Sequence, residues 1–340
     1  MYDPNVLNYL GDISQLAAVR RYESLSGKSK GVEIFDVTNG SGLHFTVVAD
    51  RCMDIHQLTF KGIPISFISK VGLTSPMYFD SRADNWLRSF PGGFLTTCGL
   101  SQVGEPCEHN GRQYGLHGLV SNIPADQVSY RTYWDNDIYR IELEGEMRQS
   151  MVQHEDISLK RKIKTSMGDN TIILMDTIVN NGVEDQPLML LYHFNFGYPL
   201  LSPKSRLEIH SQQVSGWDEY SHSVLDSCLE IHHPSTFVRE ETFLHRPVLD
   251  SNGNAQFLLS NPNDGNGIGI LIKYNAEELP FLAQWKYFKN KEYVMALEPC
   301  NNCVKGIKYE SEHGKLRIIH PGESVSIKFN IELFDDKKAE

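Results

Sequence analysis

Three polar residues stand in settings suited to moving protons. His193 lies within Leu191-Tyr192-His193-Phe194-Asn195-Phe196-Gly197-Tyr198-Pro199-Leu200, an aromatic and apolar run. Alternation along a strand puts Tyr192, Phe194 and Phe196 on one face and His193 with Asn195 on the other. Two polar side chains in so apolar a setting need partners, because a buried unsatisfied group costs about 1–3 kcal/mol. A backbone carbonyl or a ligand would serve. His117 lies in Tyr114-Gly115-Leu116-His117-Gly118-Leu119, among small residues that leave its ring uncrowded; it reads as a turn histidine or as one that faces a ligand. Glu298 ends the apolar run 293–297, and Pro299 stops it. Partial burial there raises a carboxyl pKa towards the working range of a general base; the alternative is a strand-end glutamate in solvent. A carboxylate and an imidazole together can pass protons reversibly near neutral pH.

Other chemistries have weaker support. Cys300-Asn301-Asn302-Cys303 is a lone CxxC, whereas a zinc site normally needs a second pair. His210, His222, His232 and His233 fit no helical metal motif, and a cupin-type metal enzyme needs a compact His/Glu ligand set that the spacing lacks. GxxxxGK[ST], GxSxG and HExxH are absent. The glycines between 92 and 118 lack the strand-to-helix setting of a phosphate loop and read instead as tight turns and close backbone approaches. The expectation is therefore a site with no metal and no cofactor.

Composition narrows the partners. A net charge of −11 repels nucleic acid and anionic membrane surfaces. No run of about 18 apolar residues occurs, and the first residues lack the basic and apolar regions of a signal peptide. These features predict a cytoplasmic protein. Six cysteines in 340 residues are too few for a disulfide scaffold, so their thiols are expected to be reduced.

The elements that must position these residues read as β-strands. Val325, Ile327, Phe329, Ile331 and Leu333 alternate with Ser326, Lys328, Asn330 and Glu332, and 141–144 and 157–164 alternate likewise. Further candidates span 31–37, 43–48, 206–214, 268–274, 293–297 and 316–320. Turn dipeptides include Asn39-Gly40, Asn110-Gly111, Asn252-Gly253, Asp264-Gly265 and His313-Gly314. The Asn180-Asn181-Gly182 turn predicts a hairpin joining 171–179 to the His193 strand. Val6, Leu7, Leu10, Ile13 and Leu16 have helical spacing, interrupted by Gly11, and predict a short helix. The whole reads as one all-β antiparallel domain over 1–340, with two large sheets, less than about a tenth helix, and a frayed end from residue 335.

Several stretches together resemble a known family. They are Ala49-Asp50-Arg51-Cys52-Met53-Asp54-Ile55, residues 92–99, Leu116-His117-Gly118, Ser121-Asn122, residues 192–200 and Leu297-Glu298-Pro299. The pattern is similar to the DUF4432 family, an aldose 1-epimerase-like branch of the galactose mutarotase-like superfamily, and covers nearly the whole chain. Cys52 stands where the branch often has glycine. The resemblance implies an antiparallel β-supersandwich that binds a sugar on one sheet's concave face and interconverts its anomers by ring opening. It implies that Glu298 is the general base, His193 the general acid, and His117 a sugar-binding residue near the ring oxygen. Arg51, Arg88, Asn195 and Asp218 are expected to line the groove, Asp218 from the string Gly216-Trp217-Asp218-Glu219-Tyr220. Arg51, Arg82 and Arg88 leave room for an acidic sugar derivative. A sugar-binding or sugar-sensing module of the same fold, without turnover, is the alternative.

Overall fold

The computed structural model describes residues 4–262 and 267–335. The Asp264-Gly265 turn and residues 336–340 of the tail lie outside the described residues. Strand alternation dominates, as in Ser324–Asp335, where every second residue from Val325 to Leu333 is buried and the residues between face water. All strand pairs of the three large sheets are antiparallel. The eight-stranded sheet runs, in spatial order, Asp126–Asp135, Ile138–Ser150, Asp156–Ser166, Thr171–Asn180, Ser324–Asp335, Ile268–Asn275, Asn254–Asn261, Arg206–Ile209. The six-stranded sheet runs Ser211–Gly216, Glu241–Pro247, Phe281–Lys289, Glu292–Cys300, Met189–Phe196, Leu95–Leu100. A five-stranded sheet precedes them, beginning with Ala17–Glu23 and including Asp54–Phe60.

The two larger sheets pack face to face through aromatic rings. Tyr192 and Phe194 meet Phe329 at centroid distances of 4.7 and 5.2 Å, and Phe196 meets Phe257 at 6.4 Å. The Asp54–Phe60 strand passes beside the edge strand Leu95–Leu100: Phe94 N–H donates to the His56 carbonyl at 2.8 Å, and Thr97 N–H donates to Asp54 Oδ2 at 2.8 Å. One hydrophobic core draws residues from all three sheets.

Helix is scarce. Among the described residues the α-helices are Glu219–Ser223 and Ile307–Glu312, and none is long and apolar enough to cross a membrane. The helix expected near the start is instead two 3-10 turns, Pro4–Tyr9 and Ile13–Gln15. They are separated around Gly11 because Asp12 caps the second turn, accepting from Ser14 N–H at 2.7 Å.

Three strand readings are corrected. Thr171–Asn180 and Met189–Phe196 are not a hairpin; they lie in different sheets. Both sides of Thr171–Asn180 are taken, by Asp156–Ser166 and Ser324–Asp335. The buried Asn180 amide donates to the carbonyls of Glu184 and Ile319 at 2.8 and 3.0 Å, fixing the chain as it crosses between sheets. The segment 206–214 divides likewise, Arg206–Ile209 joining one sheet and Ser211–Gly216 the other. Of 316–320, only Ile318–Ile319 is a strand.

Between the sheets lies an ionic cluster centred on Arg161, which is fully buried. Its Nε and Nη2 donate to Asp176 at 2.9 and 2.6 Å. Its Nη1 donates to Asp54 at 2.6 Å, and Nη2 also reaches Thr97 Oγ1 at 2.9 Å. The Tyr192 hydroxyl donates to Asp176 at 2.7 Å. Removing one partner of a buried charge strands the other. Asp176→Asn should therefore lower stability by about 3–5 kcal/mol in urea denaturation, whereas a loss within the range of an ordinary surface change would show that the cluster is not a structural tie.

Candidate active site

Register brings His193 and Glu298 together. Phe194 pairs with Leu297 across adjacent antiparallel strands, so the neighbouring pair is His193 with Glu298, on the face turned away from the core. His193 Nε2 lies 3.1 Å from Glu298 Oε1. On the other side of Glu298, Ala283 pairs with it and Trp285 pairs with Ala296. His117 arrives from outside the sheet, on the loop after Arg112–Tyr114, in a left-handed conformation with φ +58°. Its N–H donates to the Gly104 carbonyl, and its carbonyl accepts from Gly99 N–H, both at 3.1 Å. Its Nδ1 accepts from Gly104 N–H at 3.3 Å, so the neutral ring carries its hydrogen on Nε2. Gly118 makes this approach possible: a Cβ there would stand 2.4 Å from the Gly99 carbonyl oxygen.

The His117 and His193 rings lie 6.1 Å apart. Three aromatic rings surround them. Trp86 is 4.9 Å from His117 and stacks on Phe90, which is 5.3 Å from His193; Trp285 is 5.8 Å from His193. None of the three was singled out in the sequence, where Trp86, Trp134, Trp217 and Trp285 are spread evenly and each reads as core packing. Trp285 shares a face with Ala283 on Phe281–Lys289, and the pairing of Ala283 with Glu298 brings that face to the site, a link that the sequence does not carry.

Burial controls the charges. It pushes the Glu298 carboxyl up to about 8. It pushes His193 down to about 3, helped by His117 and opposed by the Asn195 amide, and His117 down to about 4. His193 is 5% exposed and Glu298 3%, while His117 keeps a partial opening to solvent. At neutral pH the carboxyl therefore holds its proton and both imidazoles are neutral. His193 Nδ1, Asn195 Oδ1 and Glu298 Oε1 are buried without a partner in hydrogen-bonding geometry, although Nε2 and the Asn195 amide lie close by. Three such atoms on one face leave donors and acceptors for a polar ligand.

The other expected residues divide. Asn195 shares the His193 face, and its Nδ2 donates to the His193 carbonyl at 2.9 Å. Arg51 is buried and committed elsewhere, donating to the carbonyls of Ser121, Thr74 and Ser89 at 2.7, 2.8 and 3.0 Å. It thereby holds down the segment that carries Trp86. Arg88 is exposed and donates to Asn85 Oδ1 at 3.1 Å. Arg82 is held bidentately by Asp80 at 2.9 and 2.7 Å. Asp218 caps the helix Glu219–Ser223, accepting from Ser221 N–H at 2.7 Å, and lies 3.7 Å from Arg239. Among the described residues no hydrogen bond, ion pair or ring contact joins Arg88 or Asp218 to the histidine–glutamate group.

The sequence pattern described as a domain of unknown function, DUF4432, matches residues 29–333. The chain belongs to the DUF4432 family. No curated protein matches the sequence. Solved structures share the fold of this DUF4432 chain. A putative aldose 1-epimerase from Klebsiella pneumoniae superposes with a TM-score of 0.89 at 23% identity, covering 98% of this chain and 86% of its own. A galactose mutarotase-like protein from Clostridium acetobutylicum gives 0.64 at 14%, covering 94% and 99%. The galactose 1-epimerase from Lactobacillus acidophilus gives 0.59 at 12%, also covering 94% and 99%. At these identities the likeness establishes the antiparallel mutarotase-like fold.

The raised Glu298 pKa has a consequence for the stability of this DUF4432 protein. The folded value, about 8, lies above the ordinary glutamate value of 4.5, so the folded state keeps a proton that the unfolded state loses. This contribution is fully present below about pH 4.5 and is lost as pH rises through about 8. Between pH 5 and 9 the wild type should lose stability that Glu298→Gln retains, and parallel stability curves for the two proteins would refute the assignment.

Proposed function

We propose that the protein is a carbohydrate isomerase of the aldose 1-epimerase type, which interconverts sugar anomers. The observation that carries this is the meeting of His117, His193 and Glu298, from distant parts of the chain, beside buried polar atoms that have no partner. The folds of the epimerase and mutarotase neighbours support a sugar as the ligand.

Mutarotation removes the proton of the anomeric hydroxyl and delivers one to the ring oxygen. The ring opens to the aldehyde, C1 turns, and the ring closes on the other face. Glu298 takes the hydroxyl proton and His193 donates to the ring oxygen; His117 offers Nε2–H to the sugar. The resting pair holds one mobile proton on Glu298, 3.1 Å from His193 Nε2. Transfer across that gap yields the carboxylate that accepts and the imidazolium that donates. The two forms have the same net charge, so the exchange avoids creating an isolated buried ion. His193 Nδ1, which has no partner in hydrogen-bonding geometry, is the atom left to face the ring oxygen.

Glu298→Gln and His193→Asn should each slow anomer exchange by about 10²–10⁴-fold, measured by saturation-transfer NMR or polarimetry. Affinity should change much less in Glu298→Gln, because the lost interaction acts mainly in the transition state. His117→Ala should lower both affinity and rate. A wild-type protein that binds a sugar but leaves exchange at the buffer rate is a binding module, not an enzyme.

The proton count also sets the pH profile. Once the pair loses its one proton it has no acid, so kcat/KM should hold through neutrality and fall above about pH 8. A rate that rises through pH 8 would contradict a shared proton and favour Glu298 acting as a base alone.

A further inference from the structure

A cavity of about 510 Å³ opens on the outer face of the six-stranded sheet. Leu244 lines it, and Leu244 pairs with Ala283, which in turn pairs with Glu298. Directly opposed residues share a sheet face, so the cavity lies on the face of Glu298, two strand spacings or about 10 Å away. Arg246, Lys305 and Lys315 line its walls. The Arg246 guanidinium lies 5.2 Å from the Phe281 ring centre, and the Lys305 ammonium 5.2 Å from Trp217 and 5.3 Å from Tyr309. These rings position the cations without neutralising them. Among the described residues none of the three forms an ion pair, in a chain with 43 acidic side chains against 32 basic ones. By contrast Lys286, in the same sheet, is paired with Glu241 at 2.7 Å. The carboxylate that also lines the cavity, Glu310, is buried and accepts from Cys303 N–H at 2.7 Å.

Uncompensated cations in a strongly acidic protein point to an anionic ligand. We propose that this cavity is the anion-binding part of the sugar site, so that the substrate is a sugar with a carboxylate, phosphate or sulfonate remote from its anomeric carbon, held by Arg246, Lys305 and Lys315. This rests on the sugar site proposed above. Arg246 supplies the planar fork that matches such anions, and Lys305 and Lys315 supply point charges. The flat Trp217 ring and the unbranched polar chains of Gln213 and Ser215, also in the walls, suit the sugar itself.

Calorimetry on the full-length protein tests this with D-glucose, D-glucuronate and D-glucose 6-phosphate, at low and high salt. At least one anionic sugar should bind about tenfold or more tighter than glucose, with a preference that weakens in salt. Arg246→Ala and Lys305→Met should each reduce that preference about tenfold. Arg246→Lys should restore part of it, and two separate sites guard against one variant misfolding. The subsite is overturned if wild type binds no anionic sugar better than glucose, or if both variants keep the preference. Anomer exchange on the same samples separates the two readings. Tight anionic binding with exchange at the buffer rate removes the enzyme and leaves the subsite; exchange of glucose with no anionic preference removes the subsite and leaves the enzyme.

Discussion

The structure hangs on the charge of Arg161. A guanidinium cannot be neutralised by losing its proton at any ordinary pH, so once buried it must be matched by carboxylates and its hydrogen bonds made. Asp54 comes from the five-stranded sheet, Thr97 and Tyr192 from the six-stranded sheet, and Asp176 from the same eight-stranded sheet as Arg161. Aromatic packing between the sheets is adaptable in register; this cluster is not, because a shift of one residue would take a charge partner out of reach.

That constraint reaches the candidate site through one peptide bond. Tyr192 must point inward to bond Asp176, and the pleat then turns His193 outward. The same alternation sends Asn195 outward beside it while Phe194 and Phe196 pack on the opposite sheet. Pairing with Glu292–Cys300 brings Glu298 alongside. The histidine–glutamate pair is thus positioned by the interior it turns its back on. His117, which lies on no strand, depends instead on backbone contacts to Gly99 and Gly104 and on the missing side chain at Gly118.

Much of this was legible in the sequence, for a definite reason. Strand alternation is local, so the faces of residues 192–196 and 325–333 could be read directly. The family resemblance brought His117, His193 and Glu298 together, which spacing alone does not do. What escaped was non-local. The Asn180-Asn181-Gly182 turn has hairpin chemistry, yet its strands part because neighbours remote in sequence already flank Thr171–Asn180. Arg51 looked like a ligand for anions, but three carbonyls from separate loops take its donors, and carbonyls leave no mark on a sequence. Trp86 and Trp285 read as core because a tryptophan at the wall of a site has the same neighbours in sequence as one inside. The cations of the neighbouring cavity come from a strand and from the loops before and after a short helix, a grouping that exists only after folding.

The placement of the cations bears on the acid–base pair itself. Desolvation alone raises Glu298, and a nearby free guanidinium would cancel that by favouring the carboxylate. The two buried arginines nearest the sheet are both spent: Arg161 lies behind it and is matched by two aspartates, and Arg51 is capped by carbonyls. The unpaired Arg246 stands about two strands away on the same sheet, and burial remains the cause of the Glu298 shift. This leaves the pair neutral, with its proton on the carboxyl, and spares the fold a buried ion pair. The cost is the set of unpartnered polar atoms on His193, Asn195 and Glu298, about 1–3 kcal/mol each. The proposed sugar would supply hydroxyls to these atoms and recover that cost, so the burial that tunes the proton would also favour a polyhydroxylated ligand over water held in a less complete geometry.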